Sequence, residues 1–333
     1  LGNVDEHGAV APGGGDVERL GDRAGDVVTI ADQEIVLGDR HRHTGDVGFL
    51  EGVGTNQRPA DLAGDRDDRD GIHLGVGQRG HQVGGAGARG AEANAHLACC
   101  AGIGIGGMGG GNLRALAGEN IVALCDVDSD YAGKTFNDYP KATRYTDFRV
   151  MLEKQPDIDA VLIATPDHTH AVIAKAAMEA GKHVYCQKPL THDVFEARRL
   201  AKIAAETGVV TQMGIQGHSG RGARQVAEWI QGGVIGEVRE VDAWCDLSYY
   251  PWGHESWSSP VGARPVETPP VPATLDWDLW IGPAPMRPYH ACYHPRSWRS
   301  WWDFGCGMMG DRGAHTLDPI VWALDLGQPT SID

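Results

Sequence analysis

From residue 97 onward, short apolar runs alternate with helical patterns, and this alternation constrains the chain more than any other feature. Strands separated by helices cannot fold back as tight hairpins. They need crossovers, so they lie parallel in a sheet covered on both faces. ACCAGIGI predicts a first strand, GGGNLRALAG opens a helix, and NIVALCDVD predicts a second strand that ends in acids. DIDAVLIATP is a third strand, apolar on both faces as a covered sheet requires. HTHAVIAKAAMEAG follows as a helix with Gly181 at its C-terminal cap, and HVYCQ is the next strand. In DVFEARRLAKIAAETG, Asp193 and Glu196 have capping-box spacing and Gly208 closes the helix; VVTQMGIQ is a further strand. The first strand is unusual, with Gly102 and two cysteines where β-branched residues would fill a sheet.

The flanking regions read differently. GRGARQVAEWIQGG predicts a helix, and GEVREVDAWCDL a long strand apolar on one face only, as in an open antiparallel sheet. Residues 249–302 are rich in Pro, Trp and Gly and read as long loops, after which DRGAHTLDPIVWALDLG returns to a helix. The chain stops at GQPTSID, where another strand is expected, so the last domain reads as truncated. Residues 1–96 contain no Lys, Ser, Met, Tyr or Trp, and Gly makes up about a fifth of them, roughly three times the usual share. Their Gly-Asp pairs suggest a calcium-binding β-roll, but the intervals are irregular. VVTIADQEIVLG could pair as a hairpin, while the segment as a whole reads as poorly ordered or as a non-native reading frame.

A net charge of -16 over 333 residues argues against a nucleic-acid partner, since phosphate binding needs clustered cations. No run of about 18 apolar residues predicts a membrane span. Seven cysteines without a CxxC pair do not form a disulfide framework, so a reducing, cytoplasmic setting is the default. Export stays open, because the chain starts at Leu1 rather than Met.

GIGIGGMGGGN carries G-x-G-x-x-G as Gly104, Gly106 and Gly109, with Gly107 and Met108 in the same turn; an offset match runs through Gly102, Gly104 and Gly107. The first glycine suits a tight turn, the second a close approach of backbone to a pyrophosphate, and the third close packing of the helix. Asp126 ends the second strand 17 residues after Gly109, near the spacing at which a carboxylate accepts adenosine ribose hydroxyls. An acid there repels a 2′-phosphate, so NAD is favoured over NADP. The fold class is therefore α/β, a Rossmann domain at 97–216 followed by a partial, open-sheet α/β domain at 217–333.

Thr165 and Pro166 fall at the carboxyl edge of the third strand, where open α/β sheets bind ligands, and His168 and His170 follow at the helix start. No acid or cysteine completes a metal site around that HxH, so cap and cofactor-contact roles are expected and no metal. Gln187 and Lys188 leave the fourth strand at the same edge, and Gln216 the next one. Pro189 denies that strand another ladder bond, so the lysine is aimed. Asp311 and His315 are four apart, hence on one helix face, with Asp318 one turn on. A carboxylate beside an imidazole raises its basicity, which suits a group that takes a proton from an alcohol.

With Gly104-x-Gly106, Asp126, ATPDHTH, CQKP and GDRGAHTLD in that order, residues 98–333 resemble the Gfo/Idh/MocA family of NAD(P)-dependent oxidoreductases. The resemblance implies a Rossmann domain followed by a domain that carries much of the substrate site and the contact of a homo-oligomer. The family's E-K-P tripeptide is matched by Lys188 and Pro189, with Gln187 in place of glutamate; its D-x-G-x-H element is matched by Asp311, Gly313 and His315. By resemblance, His315 would take the hydroxyl proton, Lys188 would polarise the same oxygen, and Asp311 would orient the pair. CQKPLTHDVFEARRL and the Trp-rich loops are similar to a branch that acts on sugars and is often exported by a twin-arginine signal. The implied substrate is a sugar or polyol. Two other readings are an NAD-dependent glycosidase working by transient oxidation and elimination, and a cofactor-binding protein whose site has decayed.

Overall fold

The computed structural model describes residues 97–245, 248 and 257–332, together with the backbone of two short strands, β1 (Val27–Ala31) and β2 (Glu34–Gly38). The Gly-Asp pairs and the rest of 1–96 lie outside the described residues, and with them the β-roll, poorly ordered and non-native readings of that segment.

In chain order the main sheet region runs β3 (Cys99–Ile103), α1 (Met108–Ala115), β4 (Asn120–Cys125), α2 (Gly133–Asp138), β5 (Thr143–Tyr145), α3 (Phe148–Lys154), β6 (Ala160–Ile163), α4 (Asp167–Glu179), β7 (His183–Gln187), α5 (Val194–Thr207) and β8 (Thr211–Gly214). The six strands are all parallel, in the order β5-β4-β3-β6-β7-β8. The chain winds one way from β3 and then the other way from β6, a doubly wound Rossmann sheet. α2, β5 and α3 have six, three and seven residues, too short for a periodic pattern to be read in the sequence.

Alternate residues of each strand point to opposite faces. Ile103, Val161, Ile163, Val184 and Cys186 join Met151, Ile173, Ala174, Leu200 and Ile203 from α3, α4 and α5 in one core. On the other face Leu124 packs with Ile105, Leu113 and Phe136, while Leu162 and Tyr185 pack with Leu116. The odd composition of β3 has a packing reason. A Cβ on Gly102 would lie 2.9 Å from Cγ2 of Ile105 and 3.0 Å from Cδ1 of Leu113, closer than carbons pack. A small residue there lets α1 lie directly on the sheet, in the strand that is paired on both sides.

The helix ends follow from local chemistry. Oδ1 of Asp193 accepts from the Glu196 amide at 2.8 Å, Oε2 of Glu196 accepts from the Asp193 amide at 3.3 Å, and α5 closes on Gly208 at φ 67°. Gly181, just past α4, has φ 75°.

The remaining elements are α6 (Arg221–Gln231), β9 (Val241–Trp244), α7 (Trp277–Ile281) and α8 (Ala314–Ala323). Ile320 of α8 packs with Ile235, Val238 and Val241. The long strand expected over GEVREVDAWCDL is only four residues, and its sheet is not antiparallel throughout: β9 pairs in parallel with β1, and β1 pairs with β2 as the antiparallel hairpin expected in VVTIADQEIVLG. An edge strand offers its free N–H and C=O groups to whichever strand runs alongside, so side-chain alternation alone does not choose its partner.

Between residues 257 and 305 the loops are held by an aromatic core of Trp277, Trp280, Tyr293, Trp298 and Phe304. Trp277 stacks on Trp280 at 4.6 Å, and Phe304 meets Trp280 edge-on at 4.8 Å. This core docks over the carboxyl edge of the sheet, where the Asp276 amide donates to the Val127 carbonyl at 2.9 Å. All seven cysteines are free thiols. Among the described residues no helix is long and apolar enough to cross a membrane.

Candidate active site

The strand register brings the sequence motifs to one edge. Ile103 pairs with Cys125 and Ile163, and Cys186 pairs with Ile163 and Met213. The strands therefore end level, and Gly104, Asp126, Thr165 and Lys188 leave the sheet side by side. A cleft of about 780 Å³ runs along this edge, at the switch point between β3 and β6.

The glycine loop occupies one end. Gly104 has φ 74°, and a Cβ on it would stand 2.7 Å from the Thr165 amide, so only glycine fits the turn. A Cβ on Gly109 would overlap the Gly104 carbonyl oxygen, which explains the tight start of α1. Gly106 and Gly107 are faced by the ring of Tyr131, a residue with no signal in the sequence. Asp126, expected as a ribose acceptor, is first the clasp of this loop. Its Oδ2 accepts from the amides of Ile105 (2.8 Å) and Gly106 (3.2 Å), and its Oδ1 from the Asp128 amide (3.0 Å). Burial pushes its carboxyl up to about 6, against the pull of those amides. A carboxylate has about four acceptor positions, so one remains, and Asp126 lines the cleft. The bare glycine backbone, the helix end behind it and this spare acceptor fit a dinucleotide.

The other end carries the titratable groups. Lys188 leaves β7 and is followed by Pro189 through a cis peptide bond. Its ammonium pairs with Asp311, and the side chains are only 11% and 9% exposed. The other oxygen of Asp311 accepts from Nε of Arg299 at 3.1 Å. Asp311 sits in a π-helical turn, Met309–Gly313, that leads into α8, so it precedes His315 by about one turn. Burial, with the positive charges of Arg299 and Arg312, pulls Lys188 down to about 8, while Asp167 holds it up. Burial and then the Lys188 and Arg312 charges pull His315 down to about 4, against Asp318. Near pH 7 the site therefore holds a charged lysine beside a neutral imidazole. Asp318 also accepts from Nδ1 of His218 at 2.9 Å.

Met108, Thr165, Pro166, Gln187 and Gln216 line the same cleft. His168 and His170 do not, which corrects the cofactor-contact expectation. His168 lies between Trp280 and Phe304, with its ring nitrogens at the carbonyls of Phe304 (3.2 Å) and Trp280 (3.0 Å). His170 faces the carbonyls of Pro189 (2.7 Å) and Thr165 (2.8 Å). Both rings tie the strand-end loops together, because α4 turns them inward. The Gln187 side chain is buried too: its amide nitrogen donates to Oδ1 of Asn112 at 2.8 Å, so this neutral residue anchors β7 to α1. Trp298 and Trp257 reach the cleft, but guanidinium groups cover them, Arg299 at 4.2 Å from the Trp298 ring and Arg312 at 5.5 Å from the Trp257 ring. These tryptophans hold cations. Tyr131 and His294 reach the site from loops whose composition marks no function, and Arg299 from a short turn in the Trp-rich stretch, while Arg312 lies within the motif that carries Asp311 and His315.

Residues 99–215 match the profile of the Gfo/Idh/MocA oxidoreductase family, NAD-binding Rossmann fold, and residues 221–333 match its C-terminal alpha/beta domain. The chain is 30% identical over 141 residues to an inositol 2-dehydrogenase of Salmonella paratyphi B, covering 40% of this chain and 42% of that protein. It is 33% identical over 141 residues to an inositol 2-dehydrogenase/D-chiro-inositol 3-dehydrogenase of Shouchella clausii, covering 40% of each. A solved myo-inositol 2-dehydrogenase from Lactobacillus plantarum is 29% identical with a TM-score of 0.40, over 42% of this chain and 43% of that one. The chain thus spans about two fifths of the length of the relatives it matches.

Proposed function

The chain belongs to the Gfo/Idh/MocA oxidoreductase family, and from that premise we propose an NAD-dependent dehydrogenase that oxidises a CH–OH group of a sugar or cyclic polyol. One observation carries the reading: a charged Lys188, paired with buried Asp311, lies in one cleft with the neutral imidazole of His315 and with the glycine loop.

Bound nicotinamide would supply the acceptor for the substrate's hydride. The protein's residues handle the proton and the charge. Lys188 donates a hydrogen bond from Nζ to the reacting oxygen and lowers the alcohol's pKa. His315, unprotonated near pH 7, takes the hydroxyl proton; a positioned base of this kind contributes typically about 10²–10⁴-fold. Asp311 keeps Lys188 charged and aimed. The glycine loop, with Met108, Thr165, Pro166 and the remaining acceptor position of Asp126, holds the dinucleotide. Asp126 and Asp128 favour NAD over NADP, because a 2′-phosphate beside them adds like charge. Residues 97–216 would hold the cofactor, and 217–333 the substrate and the contact of a homo-oligomer. A cyclic polyol accords with the names of the relatives, which are inositol dehydrogenases.

The test is to incubate the protein with NAD and a panel of polyols and aryl glycosides, following NADH absorbance and aglycone release. NADH formation that is lost in both Lys188→Ala and His315→Ala supports the proposal. Aglycone release without NADH points to the glycosidase. Bound NAD with neither product points to a decayed site.

A further inference from the structure

His294 stands at the glycine-loop end of the cleft with one ring nitrogen engaged and the other not. Its Nε2 lies 2.7 Å from Oδ2 of Asp128, and both residues are 8% exposed. A carboxylate only accepts, so Nε2 carries the proton and Nδ1 of the neutral ring is a lone pair. That Nδ1 is buried, and nothing among the described residues bonds to it. An unmet buried acceptor costs about 1–3 kcal/mol, a cost that a ligand bringing a donor removes.

The surroundings select the ligand. Asp128 lies two residues past Asp126, just beyond β4, and its Oδ1 accepts from the amides of Asp130 and Tyr131. Tyr131 faces Gly106 and Gly107 and meets His294 edge-on at 5.9 Å. In a sheet wound in this order, this strand end receives the adenosine ribose. A ribose hydroxyl can donate to Nδ1. A 2′-phosphate at neutral pH brings only acceptor oxygens, and negative charge beside two carboxylates.

We propose that His294, oriented by Asp128, accepts a hydrogen bond from an adenosine-ribose hydroxyl of the dinucleotide and so helps select NAD over NADP. This rests on the cofactor reading above and adds a contact that comes from the loops over the sheet edge, outside the Rossmann motifs. Burial pulls the imidazole below its ordinary value, against Asp128, which keeps Nδ1 unprotonated near pH 7.

The experiment titrates the full chain with NAD, NADP, and NAD analogues lacking the adenosine 2′- or 3′-hydroxyl, by calorimetry. The wild type is expected to bind one deoxy analogue about five- to tenfold more weakly than NAD, the loss of one ordinary hydrogen bond. His294→Leu is expected to bind NAD more weakly by the same factor and to lose that discrimination, while His294→Gln, whose amide oxygen can still accept, keeps it. The inference is overturned if the wild type binds NAD and both analogues equally, a result that needs no variant to fold. It is also overturned if His294→Leu leaves NAD affinity unchanged or weakens NAD and both deoxy analogues alike. A chain that binds no dinucleotide overturns the cofactor reading as well, whereas one that binds NAD but ignores the ribose hydroxyls overturns this inference alone.

Discussion

Replacing Asp311 with asparagine removes the carboxylate that touches both Lys188 and Arg299 and keeps the side chain's shape. Lys188 already pays for burial: its ammonium stands at about 8 against an ordinary 10.5, a difference of about 3 kcal/mol at 1.36 kcal/mol per unit. Losing an adjacent opposite charge lowers a lysine by about 1–3 units, so the variant's Lys188 is expected near about 6. At about pH 7.5 the charged fraction then falls from about three quarters to about 3%, roughly a 25-fold loss of kcat/KM from protonation alone. The alkaline limb of the pH profile should move about two units toward acid, and activity should return near about pH 5.5. Stability carries the same sign. Between the folded and the unfolded pKa the unfolded chain holds a proton that the folded chain has lost, so stability rises with pH across that interval. The rise should begin near about 8 in the wild type and near about 6 in the variant. Steady-state rates and thermal melts from about pH 5 to 10 supply both readings. A uniform fall in rate with the alkaline limb still near 8 would refute the coupling of Asp311 to Lys188.

Further outcomes follow from other parts of the molecule. In the wild type, kcat/KM for oxidation should rise as His315 loses its proton through about 4 and fall as Lys188 loses its own through about 8; a single limb near 6.5 would contradict this. Gly104→Ala combines a left-handed backbone, costing about 1–2 kcal/mol, with a Cβ at 2.7 Å from the Thr165 amide, so NAD affinity by calorimetry should drop at least about tenfold. Asp193→Ala removes the α5 cap and should cost about 1 kcal/mol in urea melts with kinetics unchanged. The folded Asp126 keeps its proton up to about 6, against an ordinary 3.8, so the folded chain binds the extra proton between those values. Stability should therefore fall by up to about 3 kcal/mol as pH rises from about 4 to 6, and Asp126→Asn should flatten that slope in the same melts.

Features set by near neighbours were legible in the sequence. Apolar runs marked five of the six strands of the main sheet, Asp193, Glu196 and Gly208 marked the ends of α5, and the glycine spacing marked the turn after β3. These depend on backbone conformation and on side chains a few residues apart. The short segments α2, β5 and α3 escaped, because three to seven residues are too few to establish a period. The small residues of β3 looked like a defect until the packing of Leu113 on Gly102 explained them.

The tertiary structure decided everything that depends on residues far apart in the chain. HTH read as a helix start facing the ligand edge, and only the docking of Trp280 and Phe304 over α4 turned His168 inward. Likewise, the pairing of Asp311 with Lys188 spans 123 residues, and that of His294 with Asp128 spans 166. The sequence carried the chemistry of each group, since that lies in the side chain itself. Its protonation and its partner were decided by desolvation and by charges that only the closed fold brings within a few ångströms.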